Sequence, residues 1–497
     1  MIIINKLISL LLVFLLCLPI AFAEPDVSFS LYGYEDESSN VNWIDNSFFK
    51  RWGEKFNIEF DLKAYRDKTE YYNYINSLSD SSDLPDVFFK ANLNTTQAID
   101  LYNKNVIVDL IQYIDEYMPE LKKTLANNPD IRDIITVDGK ILTLPYINMV
   151  PSQNYIWINK VWLDNLKLDI PKTPEEFKNV LTEFKDNDPN GNNQSDEIPI
   201  IFNGIWDAKF LSHSFGIISD DFNLSFLNDK LEFAPISQNY YAFIDYLIQL
   251  YNDGLIDKNC FYPKLNLNNE KLKKSIYGVI ISPNPYSYGN SDFSKEYIIM
   301  PPLSYNGQQI YREFNKKAIP GTLAISSKCR DVPTILKAVD YLYSADGSKL
   351  ISIGEENEEY RVFDDGTWDW INSDSKSIQN VLSNITLSAG GFAPYIETNE
   401  FLKEYGNKDA SSFLMEMEDF RKYLRSPMPP LQLSMQDIDY LKPLQYKIGK
   451  YTDEMITRFV LGEIILDDVT WNDFKSTLID LGLEEFIEFW QNKVMEK

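Results

Sequence analysis

Histidine is almost absent: the 497-residue chain carries one, His213. Zinc sites built from several imidazoles are therefore excluded, and a Ser-His-Asp arrangement would have to use that residue without a G-x-S-x-G elbow to support it. A lone histidine of this kind reads as structural. Cysteine is nearly as scarce, with Cys17, Cys260 and Cys329. The last two allow one disulfide at most, and sequence leaves a pair and two separate buried thiols equally open. Positive charge is the third deficit: 47 Lys and Arg stand against 74 Asp and Glu, a net charge of −27. So acidic a surface argues against nucleic acid and anionic membranes as general partners, although a local basic pocket is still allowed. Beyond the first residues there is no apolar run of bilayer length and no low-complexity tract.

Those first residues have their own pattern. Lys6 is a minimal positive start, residues 7–16 are apolar except Ser9, and Pro19 precedes Ala21-Phe22-Ala23. This reads as an export signal over 1–23, cleaved after a small-x-small site so that the mature chain starts at Glu24. Cys17 lacks the preceding small residues that lipid attachment prefers, so free secretion is expected over a lipid anchor. The expected location is extracytoplasmic, in a periplasm or at a cell surface.

The length exceeds one ordinary core, so two lobes are expected. Apolar strand signals at 27–32, 57–62, 85–89 and 141–145 alternate with helical patterns, and a second set follows at 155–158, 198–202, 277–282, 297–300 and 323–326. This alternation predicts an α/β protein with mostly parallel sheets. After residue 374 the pattern is mainly helical, with 411–423, 436–457 and 471–497 the longest candidates. The expected division is a first lobe over 24–150, a second over 151–310, a return to the first over 311–372, and a helical part over 373–497 packed on the second. A ligand cleft would lie between the lobes, at the carboxyl ends of strands.

One stretch stands out. Thr173, Pro174 and Glu176 form a capping box that opens a helix, and Phe177, Val180, Leu181 and Phe184 give it a buried face. A short loop follows in which Asp188, Asn190, Asn192, Gln194, Asp196 and Glu197 place oxygen-bearing side chains at alternate positions. Such spacing suits a hard cation such as calcium. A second register, starting at Asp186 and using Asp188, Asn190, Gly191, Asn192 and Glu197, fits the EF-hand positions as well, and Pro189 is awkward in both. The plain alternative is a solvated polar turn.

Several stretches together carry a family resemblance: LPDVFF (84–89), VDLIQYIDEYMPEL (108–121), DGKILTLPY (138–146), IWINKVWLDNL (156–166) with 171–184, DPNGNNQSDEIP (188–199), GTLAISS (321–327), and the helical segments 451–463 and 471–490. In this order, over nearly the whole mature chain, they resemble the extracellular solute-binding proteins of family 1. These are the carbohydrate receptors of ABC importers, here of the Firmicutes lipoprotein-like type. The resemblance implies a type II, periplasmic-binding-protein-like fold with an interlobe cleft. It further implies a monomer that binds a sugar or oligosaccharide and hands it to a permease, with no chemistry on the ligand. A secreted polysaccharide-active enzyme and an orphan receptor feeding a sensor are the alternatives.

In relatives that include alginate-binding proteins, the acidic loop holds calcium. Carried over by position, Asp188, Asn190, Asn192 and Glu197 would give side-chain oxygens, Gln194 a backbone carbonyl, and Asp196 a direct or water-mediated contact. The ion would be structural, pinning the helix end to the strand at Ile198. For the solute, stacking aromatics and fixed polar groups at strand ends are expected: Lys90, Asn92, Tyr146, Trp206, Tyr286, Tyr288 and Tyr395. Trp368 and Trp370 read equally well as sheet packing. Glu355, Glu356, Glu358 and Glu359 read as a solvated charge run, and no motif singles out a hydrolytic acid/base pair.

Overall fold

The fold is that of a computed structural model describing residues 27–495, apart from 37–38, 40, 150–152, 228, 262–275, 284, 286–295, 314–316, 365–367, 372–382, 388–392, 398–415, 430 and 432. The expected export signal, Cys17, Tyr286 and Tyr288 lie outside the described residues.

Two sheets organise the chain. In the first, β1 (Val27–Tyr34) pairs in parallel with β2 (Ile58–Tyr65) over its whole length, and β3 (Val87–Phe89) lies on the other side of β1. β4 (Leu144–Asn148) completes the outgoing set. The second sheet holds β5 (Tyr155–Asn159), β6 (Ile198–Ile201), β7 (Tyr277–Ser282) and β8 (Tyr297–Ile299) in the order β8-β5-β7-β6. The chain then returns to the first sheet as β9 (Ala318–Ile325) and again as β10 (Ile396–Glu397), giving the order β10-β4-β9-β3-β1-β2.

The expectation of mostly parallel sheets needs correction. β9 runs antiparallel to both neighbours, and β5 is antiparallel to β7 and β8, leaving β6–β7 as the parallel pair of the second sheet. The reason is physical. β5 and β7 are buried along their whole length, and a continuous apolar run reads the same in either direction.

Each sheet has its own core. Leu387, Tyr395 and Ile396 join the core of the first, so the return to that lobe extends past the expected limit at 372. The C-terminal helices close the core of the second, contributing Leu444, Ile448, Phe459, Trp471, Phe474 and Trp490. The single helix expected over 471–497 is two, Asp468–Asp480 and Leu483–Met495, separated at Gly482. Gly482 has φ 98°, a left-handed conformation that ends helices and that glycine adopts without strain.

Some smaller readings resolve here too. Cys260 is buried in the second core, Cys329 packs beside the first, and both are free thiols. Trp368 is buried against Tyr360, a packing role. The glutamate run is not wholly solvated, because Arg51 pairs with both Glu355 and Glu359.

His213 is locked in the second lobe. Its Nδ1 lies 2.7 Å from the Phe210 carbonyl, and its Nε2 accepts the Leu303 N–H at 3.0 Å. The ring is therefore neutral, with the proton on Nδ1, and burial lowers its pKa from 6.5 to about 4. The unfolded chain binds a proton below pH 6.5 and the folded one does not until about pH 4. Stability is thus lost as pH falls through that window, by about 3 kcal/mol from this residue. In a tag-free sample the one imidazole signal seen by NMR should stay in its neutral position from pH 7.5 down to 5. A midpoint near 6.5 in the folded protein would contradict the arrangement.

Candidate solute site and cation loop

The cation loop is built by the helix before it. Thr173 caps helix Pro174–Asp186 by accepting the Glu176 N–H, and Glu176 reaches back to the Lys172 N–H. The helix buries Phe177, Val180, Leu181 and Phe184 against the second sheet, which fixes where it ends. In the loop, Asp188 is the head group: its carboxylate accepts the backbone N–H groups of Asn192 at 3.1 Å and Asn193 at 2.9 Å. Asp186 is the last residue of the helix and is exposed. Asn193 takes the left-handed conformation that its side chain tolerates, with φ 58°.

The electrostatics of this loop lean toward a cation. The amides of Asn190 and Asn192 both donate to Asp196, at 3.4 and 3.0 Å. Glu197 Oε1 is buried with no hydrogen-bond partner. Burial, then the neighbouring Asp196 and Asp188 carboxylates, push the Glu197 pKa up. Lys185 does not answer this charge, because its ammonium is bonded to the Asp253 carbonyl at 2.6 Å. Among the described residues no three His, Cys, Asp or Glu side chains converge as a metal cluster. The donor set here interleaves carboxylates with amides, a mixture suited to calcium.

The strand ends of the first lobe are shaped by a bulge in β9. Gly321 has φ 84°, and a Cβ there would lie 1.8 Å from the Leu93 carbonyl. This close approach lets the Leu93 N–H reach Gly321 O at 3.0 Å, which holds the loop after β3. Lys90 lies in that loop but is only 1% exposed. Its ammonium is 2.7 Å from Glu35 Oε2, which also accepts the Trp43 indole N–H at 2.9 Å. The expected solute contact at Lys90 is therefore corrected to a buried ion pair. Breaking such a pair costs about 3–5 kcal/mol, so the lysine is not free to meet a ligand. Asn92 is exposed and donates to the Tyr72 hydroxyl at 3.3 Å. Tyr146 and Tyr395, at 6% and 5% exposure, pack on one another in the first core, and Tyr146 donates to Glu397. Their expected place in the cleft is corrected to core packing.

The second lobe gathers a set that sequence reasoning only partly found. After β6 the chain turns at Gly204 into the short helix Gly204–Ala208, which carries Trp206 and Asp207. Asp207 Oδ2 accepts the Asn203 N–H at 2.8 Å, and Oδ1 accepts the Asn154 side-chain amide at 2.6 Å. Arg312 comes in from the next crossover, its guanidinium 4.9 Å from the Phe210 ring centre and 5.9 Å from that of Trp206. Trp206 is part-exposed, while Asp207 and Arg312 are buried. Only Trp206 was legible beforehand. Asn154, Asp207 and Arg312 lie far apart in the chain, and the adjacent Trp206-Asp207 pair was the one available signal. Helix Met435–Val460 touches both helix Thr95–Asn103, which follows the β3 loop, and the helix of Trp206, so Asn92 and Trp206 flank one long element.

These two sheets, two cores and repeated crossings define the class: a two-lobe, periplasmic-binding-protein-like α/β fold of type II. No family model matches the chain. By sequence it is similar to the fructooligosaccharide ABC transporter substrate-binding protein FusA of Streptococcus pneumoniae, 27% identical over 440 residues, 83% of this chain and 80% of that one. It is also similar to lipoprotein LipO of Bacillus subtilis, 25% identical over 413 residues, 78% of this chain and 75% of that one. Among solved structures, FusA in complex with kestose superposes with a TM-score of 0.77 at 23% identity, covering 94% of this chain and 99% of that one. An EF-hand mutant of FusA matches with the same TM-score of 0.77 at 22% identity, over 94% and 99%. The alginate-binding protein AlgQ2, solved without calcium, gives 0.75 at 19% identity over 95% and 99%. Homology and fold agree with the resemblance read from sequence: the relative matched over most of this chain is an ABC transporter substrate-binding protein, and the fold is shared with solved structures of such proteins.

Burial raises the Asp207 pKa from 3.8 to about 6. The folded state then holds this proton more tightly than the unfolded chain, so the residue's contribution to stability is lost as pH rises from about 4 to 6. The loss is at most about 3 kcal/mol. Asp207→Asn removes it. The variant's melting temperature relative to wild type should therefore be higher at pH 7.5 than at pH 4, and an offset equal at both pH values would refute the assignment.

Proposed function

We propose that this protein is an extracytoplasmic receptor that binds a sugar or oligosaccharide between its lobes and delivers it intact to an ABC importer. The observation that carries the reading is the corner formed by Trp206, Asp207 and Asn154. A part-exposed indole offers a face for a pyranose or furanose ring. Beside it, a carboxylate already fixed by two donors keeps lone pairs for a sugar hydroxyl. Asn92 would supply a polar contact from the first lobe. A ligand touching both lobes favours their closed arrangement by its differential affinity, and that arrangement is what a permease can read. FusA and AlgQ2 are binding proteins, which supports a role without catalysis. No described helix is long and apolar enough to cross a membrane. The protein acts as a monomer, outside the cytoplasmic membrane, with the permease as its partner.

We also assign a structural calcium ion to the loop after helix Pro174–Asp186. Asp188, Asn190, Asn192 and Glu197 would hold it through side-chain oxygens, Gln194 through its carbonyl, and Asp196 directly or through water. The buried, unpartnered Glu197 oxygen is the feature that favours this. The ion would supply positive charge to Asp188, Asp196 and Glu197 and tie the helix end to β6.

Calorimetry with a panel of neutral and acidic oligosaccharides tests the receptor. Saturable binding with the sugar recovered intact is expected, and Trp206→Ala should weaken it roughly tenfold or more. Hydrolysis of the bound sugar would overturn the reading. For calcium, a loaded sample treated with chelator should melt at a lower temperature, since a ligand present at 100 times its Kd stabilises by about 2.7 kcal/mol. Glu197→Gln should shrink that shift. A melting temperature indifferent to chelator would remove calcium from the account.

A further inference from the structure

The corner around Trp206 also carries information about ligand charge, on the premise that it is the solute site. Among the described residues, the basic side chains named here from its surroundings and the facing strand ends are committed. Arg312 lies 3.3 Å from Asp221 and packs its guanidinium over Phe210 and Trp206. Lys209, next to the Trp206 helix, is 2.7 Å from Asp453 and 3.0 Å from Asn223. In the first lobe, Lys90 is held by Glu35, and Arg66 donates to the carbonyls of Val41 at 2.6 Å and Asp36 at 3.3 Å. Asp207 differs from these groups. Its contacts are the neutral donors of Asn154 and Asn203, so its charge is solvated but not cancelled.

We propose that the site selects uncharged oligosaccharides and that Asp207 is the residue that excludes uronates. A neutral sugar stacks on Trp206 and donates a hydroxyl to the Asp207 carboxylate. A uronate brings its own carboxylate to the same wall. It meets a like charge there, and Arg312 and Lys209 are already held by Asp221 and Asp453. Burying a charge without a partner is strongly unfavourable, and this repulsive element gives the site its selectivity. The chain's overall excess of acid works in the same direction at long range.

The test uses the full calcium-loaded chain and a matched set of ligands. The neutral oligosaccharide that binds best in the panel is compared by calorimetry, at pH 7.5 and 150 mM salt (about physiological ionic strength), with its C6-oxidised uronate and with the methyl ester of that uronate. The uronate should bind on the order of 100-fold more weakly. The ester, which is equally bulky but neutral, should recover most of the affinity. Asp207→Asn should narrow the gap between neutral sugar and uronate several-fold, a change in ratio that general damage to the site does not produce. The wild-type comparison stands by itself should that variant fail to fold. A uronate that binds as tightly as its neutral parent, or an ester as weak as the uronate, overturns the charge selection while leaving a sugar receptor. Failure of every glycan, neutral or acidic, overturns the receptor reading and this inference with it.

Discussion

The whole architecture depends on a backbone junction at the edge of the first sheet. The Ile147 N–H bonds to Tyr395 O, Asn148 N–H to Lys317 O, and Met149 N–H to Glu397 O. Each of the lengths of chain that pass between the two sheets therefore leaves the first one beside the others, in register. Backbone hydrogen bonds are obligatory where water is excluded, so these strands cannot separate without stranding polar groups. Tyr146, Tyr395 and Glu397 fill the space at this junction, and their burial raises the pKa of each. Crossings gathered at one such junction leave each lobe with a core of its own, as the proposed receptor requires.

How far the sequence revealed the structure depends on the kind of signal. Helix Pro174–Asp186 was legible down to its cap, because capping and a 3.6-residue apolar period are local properties. The polar loop after it is built from equally local contacts, since the groups that hydrogen-bond within it lie within ten residues of one another. Strand direction was not, because β5 and β7 are apolar on both faces and carry no alternation to orient them. The late return of residues 387–396 to the first core also escaped notice, since two-residue β10 is too short to leave a pattern.

The solute corner marks the limit of local reading. Lys90, Tyr146 and Tyr395 had the right chemistry at plausible strand ends, and the fold spends all of them internally. Lys90 is the instructive case. A lysine after a buried strand suggests an open cationic contact, yet Glu35, from the end of β1, meets it in the interior. Only the parallel pairing of β1 with β3, set by distant chain, brings the two together. Trp206 differs in exposure alone: a short helix after a glycine turn keeps its ring near the surface, with Arg312 packed against it.

The two candidate sites treat the same problem, surplus negative charge, in opposite ways. In the loop, the charges of Asp196 and Asp188 act on Glu197, and one Glu197 oxygen is buried without a donor. Neutral amides are a weak answer to several carboxylates at close range, and a divalent ion is a strong one. At Asp207 a single carboxylate is served by two well-aligned neutral donors and raised only to about 6. No ion is needed there, and the remaining acceptor capacity points to hydroxyl donors instead. Charge density, more than the count of acids, thus separates a cation site from a sugar contact. A protein with 74 acidic residues can use both without confusing them.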